Sequence, residues 1–310
     1  MLFCGTPQFA VPSLQHLLQQ PDFQIVGVFT QPDRPKGRGQ EIALSPVKEV
    51  ALAVKLPVHQ PVKVRAPEGE EQLRALAPDV IVIIAYGQII PARLLSIPEF
   101  GWINLHASLL PKYRGAAPIH WAIANGETRT GNTTMRIDAG MDTGEILLQQ
   151  ELGIGPDETA PELAARLAEA GAPLMAATLR GLVAGTLNGQ AQNNAAASLA
   201  PILKREDGRI DWTRSAQEIY CRMRGFAPWP GAYTEFRGQS CHVRGKPVSK
   251  GKAGGAPGTL VVSGESLQVI CGQGSLLELT SVKLEGRKQV TAGEFARGAR
   301  LQAGERLGKV

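Results

Sequence analysis

The chain has few cysteines, few aromatic residues and no long uninterrupted apolar run. Four cysteines in 310 residues, at positions 4, 221, 241 and 271, are too few for a disulfide scaffold. None forms a C-x-x-C pair and the spacings match no zinc pattern, so a reducing, cytoplasmic setting is expected. No stretch of about 18 uncharged apolar residues occurs, which rules out a membrane-spanning helix. The N-terminus, MLFCGTPQFA, lacks the basic start and long apolar stretch of a secretory signal. The G-x-G-x-x-G and Walker phosphate loops are also missing. Gly5-Thr6-Pro7 stands where a dinucleotide fingerprint would lie, but positions 7 and 10 are Pro and Ala. A tight turn and a βα turn close to a ligand both remain open there. What is present is ample core material, 43% hydrophobic against 20% charged, which excludes global disorder.

The net charge is +5, but it is unevenly spread. Residues 1–200 hold 15 Lys and Arg against 18 Asp and Glu, and residues 201–310 hold 18 against 10. A basic module beside a near-neutral one points to a polyanionic partner, most often nucleic acid. A soluble domain that happens to be Arg-rich is the alternative.

Strand-like and helix-like segments alternate through the first half. Strands are expected over 2–4, 24–30, 79–86, 102–106, 133–138 and 145–150. Ser45-Pro46 has the form of an N-cap followed by proline at the first helical position, opening a helix to Lys55. The run DVIVIIAY reads as a strand covered on both faces, and the alternation as a doubly wound, Rossmann-like α/β domain over residues 1–188. Residues 159–185 read as a helix. Residues 189–205 lose periodicity and read as a linker. In residues 206–310, Ser215-x-x-Glu218 and Thr291-x-x-Glu294 are capping boxes around about five short strands, which suggests a small OB-like β-barrel, with an irregular sandwich as the alternative.

Three features can carry chemistry. Asn104 and His106 are two apart on an expected strand, so they share a face, at the strand end where open α/β sheets bind ligands. An amide beside an imidazole can stabilise an oxyanion and move a proton; a buried, satisfied histidine is the bland alternative. Asp138 and Asp142 follow a later strand in a Gly-rich turn. A carboxylate near His106 would orient or charge it, or both aspartates make only local turn bonds. The segment 30–46, with Arg34, Lys36 and Arg38 among Gly and Pro, is long for an α/β connection, and either clamps a nucleic-acid end or is a solvated insertion.

Together, Asn104-x-His106, Ser108-Leu109-Leu110-Pro111, Arg114-Gly115-Ala-Ala-Pro118 and Asp142-Thr-Gly144 resemble the signature of formyltransferases that use 10-formyltetrahydrofolate. The loop Thr30-Gln-Pro-Asp-Arg-Pro-Lys-Gly-Arg-Gly39 and the motif Phe226-Ala-Pro-Trp-Pro-Gly231 make the chain similar to the branch acting on methionyl-tRNA. The resemblance spans essentially the whole chain. It implies that Asn104, His106 and Asp142 are catalytic, that Ser108, Leu109, Leu110 and Pro111 contact the folate, and that Tyr86, Gly87, Gln88 and Ile89 line the pterin pocket. Arg34, Lys36 and Arg38 would approach the tRNA acceptor end. The implied reaction transfers the formyl group of 10-formyltetrahydrofolate to the α-amino group of initiator methionyl-tRNA, without a metal. No membrane partner is expected, and the sequence leaves the oligomeric state open, with a monomer as the default. Cations from Arg209, Arg214, Arg222 and Arg224 through Lys246, Lys250 and Lys252 would meet phosphates. Phe226 and Trp229 would stack on nucleotides or, as the flanking prolines favour, pack between helix and barrel.

The sequence departs from the family's pattern in two places. The first strand is short, which would clip an edge of the sheet, and Gln40-Glu41 stand where lysines are expected. Glycinamide-ribonucleotide and UDP-sugar formyltransferases, a formyl-folate hydrolase and a non-catalytic RNA-binding module are the competing readings. The first two share the Asn, His and Asp but leave the basic loop unexplained.

Overall fold

A computed structural model describes residues 1–36, 41–249, 251–264 and 266–308, with the backbone alone at 35, 36, 41 and 42. Arg38 and Lys250 lie outside the described residues. The chain divides into two compact units, one of residues 1–118, 129–153 and 162–201, the other of 119–128, 154–161 and 202 onward. This division differs from the expected one. Residues 119–128 and 154–161 group with the second unit, and the expected linker is part of the first unit as far as residue 201.

The strands of the first unit are β1 (Leu2–Gly5), β2 (Gly27–Phe29), β3 (Arg34–Lys36), β4 (Glu41–Ala43), β5 (Val58–His59), β6 (Ile81–Ile84), β7 (Trp102–His106), β8 (Arg129–Arg136) and β9 (Ile146–Gly153). Seven of them form one sheet in the order β5-β2-β1-β6-β7-β8-β9. Pairing is parallel through β7, and β8 and β9 add antiparallel. The short β1 pairs with β2 on one side and β6 on the other, so it lies inside the sheet, and the expected clipped edge does not arise. Only residues 27–29 of the expected 24–30 strand are extended in the sheet; Gln24 instead accepts from the Met1 ammonium at 2.7 Å. β3 and β4 pair antiparallel, so the segment 30–46 contains a two-stranded ribbon rather than an irregular loop throughout.

Period-two alternation divides the apolar side chains between the faces of the sheet. Phe3, Val28, Val82, Ile84, Ile103 and Leu105 form one core with Leu14 and Leu17 of α1 (Val11–Leu18) and Val47 and Ala51 of α2 (Pro46–Ala53). Leu2, Cys4, Phe29, Ile81, Ile83 and Trp102 form the other with Leu73 of α3 (Pro67–Leu76) and Leu94 of α4 (Ala92–Leu95). Each such large side chain contributes about 1.5–3 kcal/mol by leaving water. The helix starts are built as the sequence indicates: Ser45 accepts from Lys48 N–H, and Pro46 occupies a first-turn position. Next in the chain come α5 (Pro118–Ala124), all but its first residue in the second unit, and α6 (Ala160–Val183), whose Met175 and Leu179 join the first core.

The second unit contains α7 (Ala216–Gly225), β10 (Tyr233–Phe236), β11 (Gln239–Pro247), β12 (Leu260–Ser263), β13 (Ser266–Ile270), β14 (Leu276–Leu284), β15 (Val290–Thr291) and α8 (Ala292–Ala299). Its antiparallel sheet runs β10-β11-β14-β13-β12, with β15 beside β14. Both capping boxes form, Ser215 with Glu218 and Thr291 with Glu294. Trp212, Ile219, Phe236, Val269, Leu277 and Phe295 are among the residues of its core. All four cysteines are free and buried, and burial pushes the thiols of Cys241 and Cys271 up to about 11 and about 12.

Candidate active site

β7 ends at His106, and its alternation leaves Asn104 half-buried and His106 buried. The chain then turns through residues 107–117. The imidazole Nε2–H donates to the Tyr113 carbonyl at 2.9 Å, which leaves Nδ1 as the nitrogen facing Asp142. Its separation from Asp142 Oδ2 is 3.7 Å, an electrostatic contact longer than a hydrogen bond. The same Oδ2 accepts the Gly115 N–H at 2.8 Å, so the loop that carries the histidine also aims the carboxylate. Asp138 behaves differently. It accepts from Gly140 N–H and Thr143 O–H, both within its own turn. Of the two aspartates, Asp142 reaches the histidine and Asp138 is a turn former.

A cavity of about 490 Å³ opens beside these groups, lined by Asn104, by Ile83 and residues 85–90, and by Met135 and residues 137–142. The Asn104 side chain makes no hydrogen bond among the described residues, so its amide is available in the cavity wall. Tyr86, Gly87, Gln88 and Ile89 all line the cavity, as expected, but two of the side chains are committed elsewhere. The Tyr86 ring is buried, and burial raises its phenol above its ordinary value. Gln88 accepts from Val64 N–H at 2.6 Å and donates to Pro61 O at 2.9 Å. Gln31 donates to the carbonyls of Tyr86 and Gly87 at 3.1 and 3.0 Å, fixing the backbone of this wall. Ile89 is 77% exposed.

Ser108, Leu109, Leu110 and Pro111 do not line that cavity. Ser108 is fully buried and donates to Lys112 O at 2.6 Å. Thr133 of β8 accepts from Leu110 N–H and donates to Ser108 O, while Gln149 of β9 donates to Leu110 O and to Thr133 Oγ1. This segment therefore packs down on the antiparallel strands. Sequence reasoning missed Thr133, Gln149 and Gln31; the local sign is that Thr133 and Gln149 are polar residues inside otherwise strand-like runs.

A second cavity, of about 670 Å³, shares Gly87, Gln88 and Ile89 with the first and is lined further by Thr6, Gln31, Asp33, Arg34, Lys63 and Arg65. The Gly5-Thr6-Pro7 turn thus lies at a cavity, and Arg34 is an exposed cation in its wall. Asp33 accepts from Lys48 and Gln60, whose hydrogen bonds hold its carboxyl below the ordinary 3.8. The backbone of Lys36 lies in β3. In the second unit, Arg224 is buried and donates to the carbonyls of Gly155 and Glu158, which makes it a core residue rather than the surface cation expected. Arg222 stacks on Phe226. Phe226 is buried edge-on to Trp121, whereas Trp229 is 55% exposed, so the expected packing holds for Phe226 and not for Trp229. Among the described residues no group of three or more His, Cys, Asp or Glu side chains is arranged to hold a metal, and no helix is long and apolar enough to cross a membrane.

The formyl transferase family model matches residues 1–179, and the formyl transferase C-terminal domain model matches residues 202–300. The chain belongs to the formyl transferase family. A methionyl-tRNA formyltransferase of Solibacter usitatus is 53% identical over 310 residues, covering 100% of this chain and 98% of that one. The methionyl-tRNA formyltransferase of Geobacter sulfurreducens is 48% identical, covering 100% and 96%. Among solved structures, the sugar 3N-formyl transferase WlaRD, determined with dTDP and 5-N-formyl-THF, aligns with a TM-score of 0.66 at 19% identity over 93% of this chain and 98% of that one. An N-formyltransferase from Helicobacter canadensis aligns with a TM-score of 0.64 at 19% identity over 90% and 97%. At that identity the likeness concerns the fold alone.

Proposed function

We propose that this family member transfers the formyl group of 10-formyltetrahydrofolate to the α-amino group of initiator methionyl-tRNA, giving N-formylmethionyl-tRNA for translation initiation. The carrying observation is that Asn104 and Asp142 share one cavity wall, with His106 against Asp142, in a chain whose relatives at about half identity over full length are methionyl-tRNA formyltransferases. The cavity volume is within the 300–1,000 Å³ usual for small-ligand sites. Its apolar side chains and fixed backbone edge suit a flat heterocycle such as a pterin. The second cavity, with Arg34 in its wall, suits the acceptor end of the tRNA, and the surplus of positive charge beyond residue 200 suits its phosphates. The setting is the cytoplasm, and the working form a monomer.

The nucleophile comes from the substrate, so no activated Ser or Cys is required. The amine lone pair attacks the formyl carbon, forming the new C–N bond and moving the carbonyl electron pair onto oxygen. The Asn104 amide and the Nδ1–H of charged His106 stabilise that oxyanion, and Asp142 stabilises the imidazolium. When the carbonyl re-forms, the bond to the folate N10 breaks. His106 gives its Nδ1 proton to N10 as that bond breaks and is recharged by the proton the amine loses, so charge and protons balance.

The test is a formylation assay with 10-formyltetrahydrofolate and charged initiator or elongator tRNA, with His106→Ala as control. Formyl-methionine recovered from the initiator tRNA, and lost in the control, is expected. Formate without formyl-methionine would replace this reading by a hydrolase, and preferential formylation of an amino-sugar nucleotide offered in parallel would replace it by a sugar formyltransferase.

A further inference from the structure

The segment read from sequence as a linker crosses the candidate site. Gln190 pairs with Ile146 of β9 through backbone bonds of 2.9 and 2.8 Å. Further on, Arg114 N–H donates to Ser198 O at 2.8 Å, Ala200 N–H to Arg114 O at 2.7 Å, and Tyr113 N–H to Ser198 Oγ at 2.9 Å. Residues 190–200 thus run alongside both loops that meet at the His106–Asp142 contact.

Gln192 joins those loops directly. Its Oε1 accepts from Arg114 Nε and Nη2 at 3.0 and 2.7 Å. Its Nε2 donates to the carbonyls of Asp142 and Gly144 at 2.9 and 2.7 Å. All four polar valences that matter are used, one side on the loop carrying His106 and the other on the turn carrying Asp142. Arg114 is buried and takes a further acceptor from Asn194 Oδ1 at 2.9 Å. Asp142 itself has φ +53°, the left-handed region that a non-glycine residue occupies at a cost unless its surroundings hold it there. The two bonds from Gln192, to Asp142 O and Gly144 O, hold the chain from this strained residue onward.

We propose that Gln192 is a positioning residue for the formyl transfer, fixing the turn of Asp142 against the loop of His106. The inference rests on the acyl-transfer reading of the site. An amide is required for a chemical reason. Arg114 needs an acceptor and the two carbonyls need donors, and of the side chains of this size glutamine supplies both. Glutamate would keep the acceptor, even strengthening the contact with Arg114, but would turn a carboxylate oxygen toward two carbonyl oxygens.

The experiment compares full-length wild type, Gln192→Glu, Gln192→Met, Asp142→Asn and the Asp142→Asn/Gln192→Glu double variant in steady-state formylation of initiator methionyl-tRNA, with thermal melts of each. Expected are a kcat lower by roughly 10–100-fold in both Gln192 variants, little change in KM for tRNA, and a double variant no slower than Asp142→Asn alone. Retained kcat in Gln192→Glu would show that Gln192 merely anchors Arg114, and losses that multiply in the double variant would show that it acts apart from Asp142; either overturns the inference. Should Gln192→Glu melt below the assay temperature, Asp142→Asn is combined with Gln192→Met instead, and losses that multiply in that double variant overturn the inference. Wild type that formylates no tRNA would overturn the functional reading and this inference with it, whereas active wild type with multiplying losses overturns the inference alone.

Discussion

Gly115 donates its backbone N–H to Oδ2 of Asp142 at 2.8 Å, and that carboxylate stands 3.7 Å from Nδ1 of His106. The glycine is needed on two counts. Its φ is +118°, and a Cβ there would lie 2.7 Å from Ala200 O. Gly115→Ala therefore pushes this loop away from residues 198–200 and swings the N–H off the carboxylate. The expected result is a loss of at least ~1 kcal/mol in urea denaturation and a kcat reduced well beyond what that instability explains at the assay temperature. A variant with wild-type kcat would show that the bond from Gly115 does not aim Asp142.

Asn104 offers a cleaner measure of the chemistry, because its side chain makes no hydrogen bond among the described residues. Asn104→Ala removes an uncommitted amide from a cavity wall, so stability changes little. The loss falls on the transition state, about 2.7–4 kcal/mol, or roughly 10²–10³ in kcat. Single-turnover formylation by a variant whose melting temperature matches wild type checks this. A kcat within a few-fold of wild type would remove Asn104 from the oxyanion's donors.

How far the site could be read beforehand depended on the range of the interactions. β7 was legible to its end residues, because a buried strand is a local apolar pattern and period two places Asn104 and His106 on one face. The capping boxes at Ser215 and Thr291 were legible for the same reason: each is a bond between residues three apart. Thr133, Gln149 and Gln192 were not, since each acts on loops far away in sequence and only the tertiary register decides which carbonyl it meets. Ser108 shows the reverse. It stands in a conspicuous motif, yet its hydroxyl is spent on Lys112 O inside its own loop.

Acid should weaken the wall of the second cavity through Asp33. The hydrogen bond from Lys48, with that from Gln60, favours the charged carboxylate and lowers its folded value below the ordinary 3.8. The unfolded chain then binds more protons in the window between the two values. The stabilisation is therefore complete above the ordinary value and is lost as pH falls through the folded one. Asp33→Asn should melt below wild type near neutral pH, with the gap closing on acidification. A gap that stays constant down to the acid limb would mean that the Lys48 contact contributes no charge-dependent stability.

Phe226 and Trp229, three residues apart in one proline-rich motif, should respond in opposite ways to truncation. Phe226 is 1% exposed and sits edge-on to Trp121 at 5.3 Å between centroids, with the Arg222 guanidinium 4.8 Å from its own centroid. Phe226→Ala removes that burial and leaves a void, costing about 3–5 kcal/mol. Trp229 is 55% exposed, so Trp229→Ala should change stability by no more than about 0.5 kcal/mol. The same exposure makes Trp229 the most readily quenched of the four tryptophans, beside the half-buried Trp121 and the buried Trp102 and Trp212, so its removal should lower the iodide-accessible emission. Equal destabilisation by the two substitutions, or iodide quenching left unchanged by Trp229→Ala, would put the Trp229 ring inside the unit after all, and the proline-flanked motif would then be a packing element throughout.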